Sequence, residues 1–167
     1  MHHAFFETKV LADDDGAISG LAWKFGVPDR MGDWIEPGSF KNAKMPIPLL
    51  FGHDMGDPVG AWESATEKSD GLHLKGKLLV NDVARAREVS ALVKAGAVRG
   101  LSIGFIIKNA SARSGGGRTI KNLELLECSL VTIPMHADAK VVSAKSAIQA
   151  LQLASAINRA AAQFGRN

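Results

Sequence analysis

The chain has 167 residues, 46% of them hydrophobic and 22% charged, with a formal net charge of +3. That length suits about one domain, and that balance supplies a buried core and excludes an intrinsically disordered chain. No apolar run approaches the ~18 residues of a membrane span, the Met1-His2-His3-Ala4 start carries no secretory pattern, and the lone Cys128 excludes an internal disulfide and suits a reducing cytoplasm.

Strand signals dominate the first half. His2 and His3 read as a mobile terminus. Phe5 to Leu11 and Ile18 to Phe25 are short apolar stretches split by the turn-rich Asp13-Asp14-Asp15-Gly16. Pro28 to Gly38 is loop-like, and Pro37 is placed to open a short helix through Phe40. Ile47 to Phe51 has the form of a buried strand. Val59 to Ala65 and Leu72 to Val80 predict a hairpin around Ser69-Asp70-Gly71. In its second strand Leu72, Leu74, Gly76, Leu78 and Val80 alternate with His73, Lys75 and Lys77, so one face is wet.

The period then changes. Asn81 or Asp82 is placed to cap a helix running to about Ala95, with Val83, Ala86, Val89 and Val93 on one side and Gly96 ending it. Leu101 to Ile107 predicts a strand, Ser114-Gly115-Gly116-Gly117 a turn and Thr119 to Ile133 a long strand. Residues 143–164 read as a C-terminal helix with Leu153, Ile157, Ala161 and Phe164 on one stripe. The fold class is therefore mainly β with helices (α+β): a small closed or partly open β-barrel with one internal helix and a C-terminal helix. Residues 1–139 form the barrel domain and residues 140–167 a basic helical tail. The tail holds Lys140, Lys145, Arg159 and Arg166 and no acid, which exceeds the formal total and leaves residues 1–139 at a net −1. Spread charge of that kind is a solvated helix face rather than a nucleic-acid patch.

Three residues carry the chemistry. In Leu101–Ile107 the large side chains fall at odd positions, and Ser102 shares its face with Gly100 and Gly104. Such a serine is open to approach, although glycines also mark a close-packed backbone. If residues 113–118 make an even-length turn, Ser102 faces Glu127 or Ser129 on one side of the sheet; an odd-length loop breaks that parity. Glu127 sits within Leu125, Leu126, Cys128, Leu130 and Val131, where a carboxylate needs a partner. His53 is the partner this predicts; a solvent-facing edge glutamate or a pair with Arg99 is the alternative. His53 closes the run Pro48-Leu49-Leu50-Phe51-Gly52, and histidine suits a general base. Asp54, Asp57 and His73 do not match a standard metal-ligand spacing. Cys128 reads as a small buried strand residue, not a nucleophile.

Several short motifs, in this order, resemble the prohead maturation proteases of tailed bacteriophages, a family similar in fold to the herpesvirus assembly proteases. They are Gly32-Asp33-Trp34-Ile35-Glu36-Pro37-Gly38-Ser39-Phe40, Leu50-Phe51-Gly52-His53-Asp54, Pro58-Val59-Gly60, Asp70-Gly71-Leu72, Gly100-Leu101-Ser102-Ile103-Gly104-Phe105 and Leu126-Glu127-Cys128-Ser129-Leu130-Val131-Thr132-Ile133-Pro134. The resemblance spans about Gly20 to Ala139. It implies a serine endopeptidase that cleaves capsid and scaffold protein segments, and itself, during prohead maturation. Its place would be the interior of the immature capsid, assembled in the host cytoplasm. Ser102 matches the family nucleophile, His53 the base and Glu127 the glutamate of the Leu-Glu-x-Ser-Leu-Val signature; His136 is the alternative third member. The resemblance requires no metal or organic cofactor. A homo-oligomer is compatible with it; a membrane or nucleic-acid partner is not expected. Two other readings stay open at this point: a non-catalytic capsid-assembly or scaffold protein that keeps the protease fold, and a small-molecule esterase, which the missing Gly-x-Ser-x-Gly elbow disfavours.

Overall fold

The period-two stretches become strands because each can bury one face and wet the other. The computed structural model describes residues 2–7, 11–29 and 31–132, with side chains described for 13–29 and 31–132. In chain order the elements are β1 (His2–Glu7), β2 (Leu11–Ala12), β3 (Ala17–Lys24), β4 (Trp34–Ile35), β5 (Ile47–Phe51), β6 (Pro58–Lys68), β7 (Gly71–Leu78), α1 (Ala84–Lys94), β8 (Gly100–Ala112) and β9 (Arg118–Val131). The expected C-terminal helix and His136 lie outside the described residues.

All the strands join one sheet in the order β1-β8-β9-β5-β6-β7-β3-β2, with β4 attached to β9. The β5–β9 and β4–β9 pairs are parallel and the others antiparallel. The sheet curls until β3, near one end of that order, packs against β1 and β8 at the other. Among the described residues no ladder joins the two ends, so the barrel is partly open and not closed. Its interior holds Trp23, Trp62, Leu74, Leu101, Ile103 and Phe105, each at most 1% exposed. Helix α1 lays Ala86, Val89 and Val93 against this core and touches β2, β6 and β7.

Several local expectations change. His2 and His3 do not lie in a loose terminus: their backbone belongs to β1, which pairs with β8 so that Phe5 is opposite Ser102. No helix starts at Pro37. Gly38 has φ +89, a left-handed conformation that interrupts helical geometry, and residues 37–42 form successive turns. The Glu67 carboxylate holds those turns by accepting from the N–H groups of Gly38 (2.5 Å) and Phe40 (2.6 Å). The N-cap of α1 is Val83, without a side-chain cap, rather than Asn81 or Asp82. Those two residues belong to a turn in which Asp82 and Val83 both donate to the Leu79 carbonyl. The C-terminus follows the expected pattern, a Schellman end in which Gly96 at φ +76 donates to Val93 O and Ala97 donates to Leu92 O.

Candidate active site

The parallel pairing of β5 with β9 carries the chain to the site. Leu50 is opposite Ser129 and Phe51 opposite Leu130, and Gly52 N–H still donates to Leu130 O at 2.9 Å. Gly52 and His53 then both take φ +63, so the chain turns sharply where β5 ends. Glycine enters that region freely, whereas histidine enters it seldom, so the turn is held from outside. That hold is visible: His53 N–H donates to Ser129 Oγ at 3.1 Å. Helix α1 braces the same loop. Arg85 lies 4.9 Å over the Phe51 ring and its Nε donates to Asp57 at 3.2 Å.

The turn brings together the three side chains that the sequence singles out. His53 Nε2 is 2.7 Å from Ser102 Oγ, and His53 Nδ1 is 2.8 Å from Glu127 Oε1. With Nδ1–H donated to the carboxylate, Nε2 is the acceptor for the serine hydroxyl. The second carboxylate oxygen, Oε2, accepts from Ser129 Oγ at 2.7 Å. Ser102, Glu127 and Ser129 are fully buried, and the His53 side chain retains 15% of its exposure. Glu127 is therefore neither a solvent-facing edge residue nor a bare buried charge.

Strand register places the carboxylate, by a route other than the expected one. The loop between β8 and β9 is residues 113–117, an odd-length loop, and near it Ala112 faces Arg118 and Ser111 faces Thr119. Continued regularly, that register would put Cys128 opposite Ser102 and turn Glu127 to the core face. Three irregularities intervene. Lys121 is extra on β9 and Lys108 extra on β8, and these cancel. Leu126 is extra on β9, and beyond it Gly104 faces Glu127 and Ser102 faces Ser129. The bulge at Leu126 thus swings Glu127 onto the face of Ser102.

Two residues complete the site without an expected role. Gly104 leaves room for the carboxylate, since a Cβ there would meet Glu127 Oε1 at 2.2 Å. Ser129 bonds both Glu127 and the His53 main chain; its spacing of two from Glu127 on one strand was the available signal. Cys128 points the other way and is fully buried. Burial, with the Glu127 charge adding to it, pushes its thiol well above the ordinary cysteine range. Among the described residues no three His, Cys, Asp or Glu side chains converge as a metal set. Asp54 instead accepts from Gly56 N, and His73 pairs with Asp70 at 2.8 Å.

A hydroxyl, an imidazole and a carboxylate in this sequence of bonds form the arrangement that serine acyl-transfer enzymes use. A sequence model of the family described as caudovirus prohead serine protease matches residues 6–153. The chain belongs to that family. The match starts earlier and ends later than the motif resemblance from Gly20 to Ala139. The prohead protease of Enterobacteria phage HK97 is 33% identical over 86% of this chain and 68% of its own length. A capsid polyprotein of Pseudomonas phage PAJU2 is 35% identical over 86% of this chain but only 22% of its own length. The fold is similar to that of the bacteriophage T4 capsid assembly protease, with a TM-score of 0.58 at 14% identity, covering 80% of this chain and all of that one. It is also similar to the KSHV protease solved with a hexapeptide phosphonate inhibitor, with a TM-score of 0.50 at 15% identity over 69% of this chain and 58% of that one. Membership of that family makes this chain a peptidase, and the two solved structures show its fold.

Proposed function

We propose that this prohead protease cleaves capsid and scaffold protein segments, and its own chain, during maturation of a phage head, by a Ser-His-Glu acyl-enzyme mechanism. The observation that carries the mechanism is His53 bonded at once to Ser102 (2.7 Å) and Glu127 (2.8 Å). His53 Nε2 takes the hydroxyl proton as Ser102 Oγ attacks the peptide carbonyl, and then delivers it to the leaving amine. Water repeats the cycle on the acyl-enzyme. Glu127 fixes the tautomer that leaves Nε2 free to accept, and stabilises the imidazolium as it forms. With Ser102 buried and His53 partly exposed, the scissile carbonyl approaches past the imidazole. The names of the HK97 and PAJU2 relatives support capsid proteins as the substrates and the interior of the procapsid as the workplace.

The test uses wild type and Ser102→Ala side by side. A fluorophosphonate probe is expected to label wild type only, and peptide hydrolysis to vanish in the variant. Peptide cleavage retained by Ser102→Ala moves the nucleophile elsewhere. Intact mass spectrometry of both proteins reads the self-cleavage: a shortened chain in wild type and a full one in Ser102→Ala supports it. Full-length chains in both, with wild type cutting other peptides, refute it. Glu127→Gln is expected to slow turnover yet leave measurable activity, because an orienting carboxylate costs less to lose than a nucleophile.

A further inference from the structure

One hydroxyl outside the proposed triad bonds two of its parts. Ser129 is fully buried on β9, directly opposite Ser102. Its Oγ accepts from the His53 main-chain N–H at 3.1 Å and donates to Glu127 Oε2 at 2.7 Å. Both partners have need of it. His53 sits at φ +63, a conformation that persists in a residue with a Cβ only where the surroundings hold it. Glu127 is a fully buried carboxylate, whose second oxygen requires a donor once Nδ1 of His53 has taken the first.

We propose that Ser129 is a positioning residue for peptide hydrolysis: a single hydroxyl fixes the Glu127 carboxylate and the His53 main chain relative to each other, and so holds the imidazole on Ser102. The proposal rests on the Ser-His-Glu reading above. A serine hydroxyl has one proton and two lone pairs. Ser129 commits the proton to Glu127 and one lone pair to His53 N–H. Both ring nitrogens of His53 are engaged by Ser102 and Glu127. Ser129 is thus not a second nucleophile, although it stands across the strand pair from the first. The two ties act in different directions. One limits rotation of the carboxylate, and the other stops the turn at Gly52-His53 from relaxing and withdrawing the ring.

The experiment measures kcat and KM for a peptide substrate with the full-length chain. The proteins are wild type, Ser129→Ala, Ser129→Thr, Glu127→Gln, Ser102→Ala and the double variant Glu127→Gln/Ser129→Ala. Ser129→Ala is expected to lower kcat by about tenfold to a hundredfold, with KM changed by less than about twofold. Ser129→Thr, which keeps the hydroxyl, is expected to recover most of that loss. In the Glu127→Gln background the same Ser129→Ala change is expected to cost less than about threefold, because residues that act through one another are not additive. Wild-type kcat in Ser129→Ala overturns the proposal. So does an equal fold loss in both backgrounds, which is the mark of a merely structural serine, and so does a silent Glu127→Gln. If Ser129→Ala does not fold, Ser129→Cys keeps the volume with a weak donor, and wild-type kcat there overturns the proposal equally. Full activity in Ser102→Ala removes the underlying mechanism as well. An inactive Ser102→Ala beside a fully active Ser129→Ala removes this proposal alone.

Discussion

Glu127 Oε1, the oxygen that holds His53 at 2.8 Å, occupies the space where a side chain on Gly104 would begin. A methyl there would lie 2.2 Å from that oxygen, and both groups belong to paired strands that cannot easily separate. Gly104→Ala is therefore expected to fold but to displace the carboxylate, and a shift of about 1 Å in such a group can lower the rate about a hundredfold. Steady-state kinetics beside a melting curve test this, and unchanged kcat/KM in a folded variant refutes it. Cys128, one position along β9 from Glu127, points into the core, and its thiol is held protonated by burial and then by the neighbouring carboxylate. Iodoacetamide at neutral pH should leave both the thiol and the activity of the folded enzyme untouched. The linkage has a definite sign. The unfolded thiol releases its proton near its ordinary value of 9.0 while the folded one keeps it, so stability is full below that pH and falls as pH rises above it. Denaturant titrations of wild type and Cys128→Ala across that range should converge if the thiol is the cause, and a parallel decline would assign the loss to other groups. The sequence exposes Ser102, His53 and Glu127 because each is a polar residue in an apolar run. It hides the role of Ser129, because what its hydroxyl meets depends on how β5 ends, on another strand.

Strand register is where local sequence stops being sufficient. The faces of β7 and β8 follow from alternation alone, since buried Leu72, Leu74 and Leu78 and buried Leu101, Ile103 and Phe105 each recur at every second position. The partner face of β9 does not, because Leu125 to Val131 is apolar on both sides apart from Glu127 and Ser129. The bulge at Leu126 sets it, and no turn residue announces that bulge. The other end of β9 is fixed electrostatically. Asp33 Oδ1 accepts from the Arg118 main chain at 2.9 Å and from Nε at 3.1 Å, and Oδ2 accepts from Nη2 at 2.5 Å. Asp33 is 5% exposed, whereas the Arg118 side chain is 39% exposed, so the pair is only half withdrawn from water. Asp33→Ala should then destabilise the protein by about 2 kcal/mol, less than a fully buried pair would lose. Glu127 lies nine residues beyond Arg118 along β9, about 30 Å away at strand spacing, so kcat should not change. Chemical denaturation and kinetics on the same sample separate the two effects; a large fall in kcat at unchanged stability would show that the start of β9 communicates with the site.

At the scale of the whole molecule, the curled sheet exists to bring distant segments to one place. His53 comes from the end of β5 and Ser102 from β8, and β9 lies between these two strands and supplies Glu127. The sequence indicates a mainly β fold with one internal helix, but it does not determine closure, because that depends on whether the first and last strands of the sheet order meet. Among the described residues β1, at one end, packs against β3, next to the other end, without pairing with it. Among the described residues, the buried hydrophobic ones run from Ile18 to Val131, and α1 covers them from inside that span. The strong positive balance belongs to residues 140–167, and the remainder is close to neutral. We therefore propose that residues 1–139 are the catalytic unit and 140–167 a separable tail. A chain ending at Ala139 should fold cooperatively and hydrolyse a peptide in trans with kcat/KM within about threefold of the full chain, because the described strands and α1 already share one buried core between Ile18 and Val131. Differential scanning calorimetry and a peptide assay on the two chains decide the matter. A shortened protein that aggregates, or that folds but no longer labels with a fluorophosphonate, would mean that residues 140–167 contribute to the barrel or to the site, and the boundary would have to move toward the C-terminus.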